Sequence, residues 1–193
     1  MNLNIKQRIF PPVHNYELLE YDIEGIWSIS LPHDAELISQ IIKNNIDITN
    51  TSCKIFDGTG GLGGNVISLS RYFANVTTCE IDEMRFNMLK NNVKIFNLHN
   101  INLIYGNCID NLDNDNYDAY LFDPPWGGPK YKLNNKITIK LGELHLFELI
   151  DKIRNKNNSP IFFKLPCNYD LNEFNQYNYK IDYIKNYLLV TIF

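Results

Sequence analysis

Paired cysteines, long apolar runs and an excess of positive charge are all missing from this sequence, and each absence removes a class of function. Cys53, Cys79, Cys108 and Cys167 stand far apart with no C-x-x-C pair, which argues against zinc and against a disulfide framework and suits a reducing compartment. His14, His33, His99 and His145 are scattered with no pair at ligand spacing, so no metal is expected. The longest apolar stretches, such as Leu188 to Phe193, are far too short to span a bilayer. Met1 to Phe10 lack the basic-then-apolar order of a secretory signal. The expectation is an intracellular protein, cytoplasmic or nuclear, with no membrane partner. Net charge is −4, whereas a protein that tracks a long nucleic acid normally carries a basic surface. If RNA is a partner, the grip should fall on one nucleotide or a chain end.

What is present is an alternation of strand and helix patterns over 193 residues without an internal repeat or long linker, enough for a substantial core and expected to act as a monomer. Residues 1–32 read as irregular, with a break at Pro11-Pro12. Apolar spacing then marks a helix over Ala35 to Lys43. Short apolar strands follow at Lys54 to Phe56, Val76 to Glu80, Ile101 to Tyr105, Ala119 to Phe122 and Pro160 to Leu165. Helical patterns at Asn65 to Tyr72, Glu83 to Phe96 and Leu141 to Lys156 separate them, and Asn-rich patches at Asn111 to Asn116 and Asn155 to Asn158 read as loops. Tyr179 to Tyr187 and Leu188 to Phe193 close the chain as an antiparallel hairpin. The fold class is therefore α/β, Rossmann-like, with a mostly parallel seven-stranded sheet whose ligands lie at the carboxyl ends of the strands.

Asp57-Gly58-Thr59-Gly60-Gly61-Leu62-Gly63-Gly64-Asn65 sits between the first strand and a helix and contains G-x-G-x-x-G in that required context. A tight turn alone would explain some of these glycines, but five within seven positions are costly unless something must come close. Glu80 ends the second strand, where an acid can accept from both ribose hydroxyls, with Ile81 beside it. Both NAD and S-adenosylmethionine fit this geometry. Asp57 favours the second: its carboxylate can hold the ammonium of a methionine tail and would repel a pyrophosphate.

Asp123-Pro124-Pro125-Trp126-Gly127-Gly128-Pro129 ends the fourth strand. The exocyclic amine of a purine is a poor nucleophile because its lone pair is delocalised into the ring. The Asp123 carboxylate and the Pro124 carbonyl offer two adjacent acceptors for its N–H groups, and the prolines preset the turn. Trp126 offers a flat face to a base. A proline-rich loop around a core tryptophan is the plainer alternative.

D/N/S-P-P-aromatic marks the amino-methyltransferases, and the longer Pro124-Pro125-Trp126-Gly127-Gly128-Pro129 resembles the trimethylguanosine synthase family, which methylates N2 of 7-methylguanosine RNA caps. Glu24-Gly25-Ile26-Trp27-Ser28, the Asp57 to Asn65 loop, Lys90-Asn91-Asn92 after Glu80-Ile81-Asp82, and Leu165-Pro166 with Asn168 are similar to further segments of that family. The resemblance implies S-adenosylmethionine as cofactor and the 7-methylguanosine cap of RNA as substrate. It implies a short extension at 1–32 that contributes to the site and a methyltransferase domain at 33–193. Asp57, Gly58, Thr59, Gly60, Gly61, Gly63, Asn65, Glu80, Ile81, Asn107, Cys108 and Asp123 are the expected cofactor residues. Trp126, Gly127, Lys130, Tyr131, Lys164 and Asn168 are the expected substrate residues, with Asp123, Pro124 and Trp126 at the chemistry. Such enzymes also occur in large DNA viruses with AT-rich genomes, which the abundance of Asn, Ile and Lys fits.

Three positions depart from the family. Asp123 replaces Ser, as in adenine-N6 enzymes with D-P-P-W; Cys167 replaces Arg, so that one expected phosphate contact is missing and Lys164 or Lys130 is the candidate to replace it; and Asn107 replaces the acid after the third strand. Adenine-N6 methylation and a silent nucleotide-binding module therefore stand as alternatives, and a dehydrogenase is more distant.

Overall fold

The structure is a computed structural model in which residues 3–46, 52–112 and 114–193 are described. The chain enters through helices α1 (Leu3–Ile9), α2 (Ile23–Ser28) and α3 (Pro32–Asn44). It continues as β1 (Lys54–Asp57), α4 (Gly64–Leu69), β2 (Asn75–Glu80), α5 (Glu83–Ile95), β3 (Ile101–Tyr105) and β4 (Ala119–Phe122). A short ribbon of β5 (Lys140–Leu141) and β6 (Leu144–His145) precedes α6 (Leu146–Arg154), β7 (Ile161–Pro166) and the hairpin β8 (Tyr179–Ile184) and β9 (Tyr187–Ile192).

Seven strands form one sheet in the order β3-β2-β1-β4-β7-β9-β8. The first five of that order pair in parallel, and β9 runs antiparallel to both β7 and β8. This is the α/β, mostly parallel arrangement expected from the sequence. Alternation along each strand sends neighbouring side chains to opposite faces. Ile55, Leu121, Phe162 and Leu189 join Ile38 and Ile42 of α3 on one face. Phe56, Phe122, Phe163 and Val190 join Leu149, Ile150 and Ile153 of α6 on the other. After β3 the chain crosses back to β4, beside β1, so the order reverses between β1 and β4. Ligands of open α/β sheets bind at such a reversal, beyond the carboxyl ends of the strands.

Two boundaries differ from the sequence reading. The segment read as irregular holds α1 and α2, of 7 and 6 residues. Helices this short depend on packing rather than propensity. Ile9, Phe10 and Leu19 supply that packing by burying themselves against Leu62 and Ile67, with Met88 and Phe96 of the α5 region alongside. The last helix begins at Leu146 instead of Leu141, because Gly142 takes φ +60° and turns the chain into the β5–β6 ribbon. The carboxylate of Glu148 then accepts the His145 N–H at 2.7 Å and starts the helix. Of the Asn-rich loop around 111–116, Asp113 lies outside the described residues.

Asn92, fully buried in α5, ties the entry segment to this body. Its side chain accepts from Glu20 N at 2.8 Å and donates to Glu20 O and Leu62 O, both at 3.0 Å. An unsatisfied buried polar group costs roughly 1–3 kcal/mol. Asn92→Ala is therefore expected to lower unfolding stability by about 3 kcal/mol, since three groups lose their partner together. Hydrogen exchange should quicken first at the Glu20 amide; exchange there at the wild-type rate would contradict this anchoring.

Candidate active site

Four strand ends and the entry segment enclose a cavity of about 360 Å³ at the β1/β4 reversal, within the roughly 300–1,000 Å³ of small-molecule pockets. The glycine loop forms its floor. Gly58 N–H continues the ladder to Leu121 O at 2.9 Å, and Gly60 N–H donates to Cys79 O at 2.7 Å. Added Cβ atoms at Gly58, Gly60 and Gly64 would lie 2.4 Å from the Phe122 ring, 2.6 Å from Thr78 Oγ1 and 2.6 Å from Ser30 O. These glycines therefore admit protein neighbours. Gly61 alone in the loop has open space where a Cβ would stand, at φ +52°. Gly63, at φ +99°, caps α4 and, unlike Gly58, Gly60, Gly61 and Gly64, is not part of the cavity lining.

Three acids converge here. Asp57 is fully buried beneath the loop: its Oδ1 accepts from Thr59 N at 3.0 Å, and its Oδ2 has no partner among the described residues. Burial, with the charges of Asp123 and Glu80 nearby, pushes its carboxyl up to about 7. Glu80 is held by two backbone donors, Gly61 N and Asp82 N, each at 2.8 Å. Thr59 Oγ1 accepts the Asp123 N–H at 2.8 Å and so joins the glycine loop to the β4 turn. Asn65 lines the cavity with an Oδ1 that has no partner among the described residues, and Ile81, Asn107 and Cys108 complete the wall at the ends of β2 and β3.

Asp123 Oδ2 meets the ammonium of Lys164 at 2.7 Å, and both side chains are nearly buried. Ser30 closes the group, since Lys164 Nζ donates to its Oγ at 2.9 Å and the hydroxyl reaches Asp123 Oδ2 at 3.4 Å. Burial still leaves the Asp123 carboxyl above its ordinary range, with Lys164 pulling the other way. The ammonium also lies 5.7 Å from the Trp126 ring centre and 5.2 Å from that of Tyr187. Trp126 is half-buried behind the turn, with its indole N–H donating to Lys164 O at 3.3 Å and Tyr131 set edge-on at 5.3 Å.

The predicted substrate residues separate into distinct places. Lys164 is committed to Asp123 inside the protein, with its side chain 9% exposed. Asn168 donates to Tyr131 O at 2.9 Å and Asn134 O at 2.8 Å, and so pins the loop that carries Lys130, which is exposed. Gly127, at φ +86°, starts that loop, and Pro124 is buried while Pro125 faces the cavity. Trp27 is neither core nor cavity wall: it stands 83% exposed. Glu24 and Ser28 of the same helix line the cavity instead. Ser30, Arg85, Leu141 and Gly142 also reach it, and sequence reasoning missed all four. Arg85 pairs with Asp22 and Glu24, holding α2 to α5. A faint signal for Ser30 existed in the neighbouring Glu24 to Ser28 motif; the others follow no local pattern.

A family profile described as RNA cap guanine-N2 methyltransferase matches residues 52–191. The chain belongs to that family. It is 30% identical to an uncharacterised protein of Acanthamoeba polyphaga mimivirus over 96% of this chain and 80% of the relative. It is 28% identical to the trimethylguanosine synthase of Schizosaccharomyces pombe over 91% of this chain and 78% of that protein. Among solved structures, an rRNA methylase from Streptococcus thermophilus superposes with a TM-score of 0.53 at 16% identity, over 85% of this chain and 96% of that one. A Streptococcus mutans protein in complex with SAH gives 0.58 at 15% identity, over 85% and 98%. The chain is thus a methyltransferase of the Rossmann-like class, with S-adenosylmethionine as its cofactor. The residues present fit that molecule, because the twice-held Glu80 carboxylate lines the cavity and an Asp57 oxygen without a partner among the described residues lies buried beneath the glycine loop that floors it. Among the described residues no cluster of His, Cys, Asp and Glu could hold a metal ion, and no helix is long and apolar enough to cross a membrane.

Removing one partner of a buried ion pair costs about 3–5 kcal/mol, because the other charge is left stranded. Lys164→Met is expected to destabilise the protein by that amount, and Asp123→Asn to restore much of the loss in the Lys164→Met background. Denaturant unfolding of the four proteins measures the coupling; strictly additive effects would mean that the two charges do not depend on each other.

Proposed function

We propose that this methyltransferase modifies N2 of the 7-methylguanosine cap of RNA, with the Asp123-Pro124-Pro125-Trp126 turn at the cavity edge as the observation that carries the reading. In this reading Asp57 holds the amino-acid end of the cofactor, Glu80 its ribose, and Ile81, Asn107 and Cys108 surround its base. When bound, S-adenosylmethionine supplies a methyl group electrophilic enough for a weak nitrogen nucleophile. Asp123 and the Pro124 carbonyl accept from the guanine N–H groups and direct the nitrogen lone pair. The proton that the amine sheds on accepting the methyl group would leave past the Asp123 carboxylate to water. The cationic ring of 7-methylguanine acidifies that amine, so positioning carries most of the catalysis. Trp126, fixed at one edge by Lys164 O, offers an electron-rich ring to the same cation.

One observation favours a second reading, methylation of an adenine-N6 or other nucleic-acid amine. Asp123 stands where cap enzymes have Ser, and its carboxylate is held by an ammonium rather than left as a neutral hydroxyl. Transfer of labelled methyl to 7-methyl-GTP, GTP and an adenosine oligonucleotide separates the readings. Label on 7-methyl-GTP alone, falling more than about tenfold in Trp126→Ala and less in Trp126→Phe, is the expected result given the worth of a cation–aromatic contact. Label on adenosine alone would replace the cap reading with the second.

Asp57 makes a pH prediction. Its folded value of about 7 lies above that of a free carboxylate, so the free protein binds a proton there through the weakly acidic range, and this part of its stability is lost as pH rises through 7. A cation beside it favours the ionised form. Cofactor affinity should therefore rise with pH up to about 7 and then level, with proton release at about pH 6 visible by calorimetry in two buffers. The same flat profile in wild type and Asp57→Asn would remove Asp57 from the ammonium site.

A further inference from the structure

Nineteen residues from Pro124 to Gly142 contain four lysines and no acid, in a chain whose net charge is −4. Both ends of this stretch touch the cavity, at Pro125 and at Leu141 and Gly142, so the stretch between is a strap leaving the site and returning to it. Its inner side is fastened. Asn168 donates to Tyr131 O and Asn134 O, Ile137 N donates to Asn168 O at 3.0 Å, and Asp170 N donates to Ile137 O at 2.8 Å. Lys136 is spent on the same fastening through Asp170 at 2.9 Å. Lys130, Lys132 and Lys140 are all exposed, and none meets a carboxylate among the described residues. Glu24, Glu80 and Asp123 line the cavity, with Asp57 buried beneath its floor. Among the described lining residues the one cation is Arg85, itself paired with Asp22 and Glu24, so the lining is acidic on balance while the strap beside it carries lysines and no acid.

We propose that Lys130, Lys132 and Lys140 bind the phosphates of the RNA 5′ end, and that the strap steers the chain out of the site while the terminal base enters it. This rests on the cap reading above and adds to it the path of the phosphates. Lys164, sealed against Asp123, is not a phosphate ligand in this arrangement. An ammonium presented on a pinned backbone neutralises phosphate without reading sequence, and three such charges suit a short segment rather than a long tract.

The test compares wild type, the triple variant Lys130→Gln/Lys132→Gln/Lys140→Gln and the triple Arg variant on 7-methylguanosine, 7-methyl-GTP and a capped oligonucleotide. The kcat/KM ratio of each phosphorylated substrate to the nucleoside should fall at least about tenfold in the Gln variant and recover in the Arg variant. Its dependence on salt with the oligonucleotide should flatten by about 2 in the log–log slope, at roughly 0.7 per lost contact with a single strand. A fall confined to the oligonucleotide would place the strap on the RNA chain, and one shared by 7-methyl-GTP on the cap triphosphate. An equal change on all three substrates, or none, would overturn the proposal. Binding of a fluorescent 5′-triphosphate RNA is measured alongside. If wild type methylates none of the three substrates, the cap reading fails while binding still decides the strap, weaker in the Gln variant supporting it and unchanged overturning it.

Discussion

The Lys164–Asp123 ion pair, with Ser30 as its third member, is the contact on which the geometry of the site depends. It joins residues 41, 93 and 134 positions apart in the chain and so locks β7, the β4 turn and the entry segment together. Taking two charges out of water costs several kcal/mol each, and the cost is offset only when geometry and additional hydrogen bonds are good. Here the ammonium has both a carboxylate at 2.7 Å and a hydroxyl at 2.9 Å. The same lysine passes its constraint on to Trp126 through its backbone carbonyl. The turn at the cavity edge is thereby set from behind.

Thr59 extends this rigidity to the glycine loop. Its N–H and hydroxyl serve Asp57 while its oxygen receives the Asp123 N–H. Two loops that are neighbours only because β1 and β4 are neighbours in the sheet therefore move as one. A preorganised pair of loops is what positional catalysis requires, since small misplacements of reacting groups cost large factors in rate. The entry segment docks on the same loop through two places that tolerate no side chain, Gly25 against Leu62 and Gly64 against Ser30.

Charge is segregated rather than scarce. A modest net value of −4 conceals an acidic cavity and an acid-free strap beside it. Fields of this kind act on the approach and orientation of charged ligands more than on fold. The Asp57 carboxyl, pushed up to about 7 by burial and by its acidic neighbours, records the same crowding of negative charge.

Local patterns alone determined the succession of strands and helices, the glycine loop after β1, Glu80 at the end of β2 and the Asp123 turn after β4. Each of these is written in a contiguous run of residues whose period or turn chemistry is self-sufficient. The short helices α1 and α2 escaped notice because 7 and 6 residues are too few to show a period and are stable only where they pack. The role of the glycines was half legible: their number announced a crowded loop, but whether ligand or protein does the crowding depends on Phe122, Thr78 and Ser30. Only the tertiary structure decided that Lys164 faces Asp123 rather than a phosphate, that Asn168 holds a loop, and that Ser30, Arg85 and Gly142 reach the cavity. Those outcomes follow from sheet order, which brings distant strand ends together, and from burial, which compels an isolated charge to find a partner wherever the fold provides one.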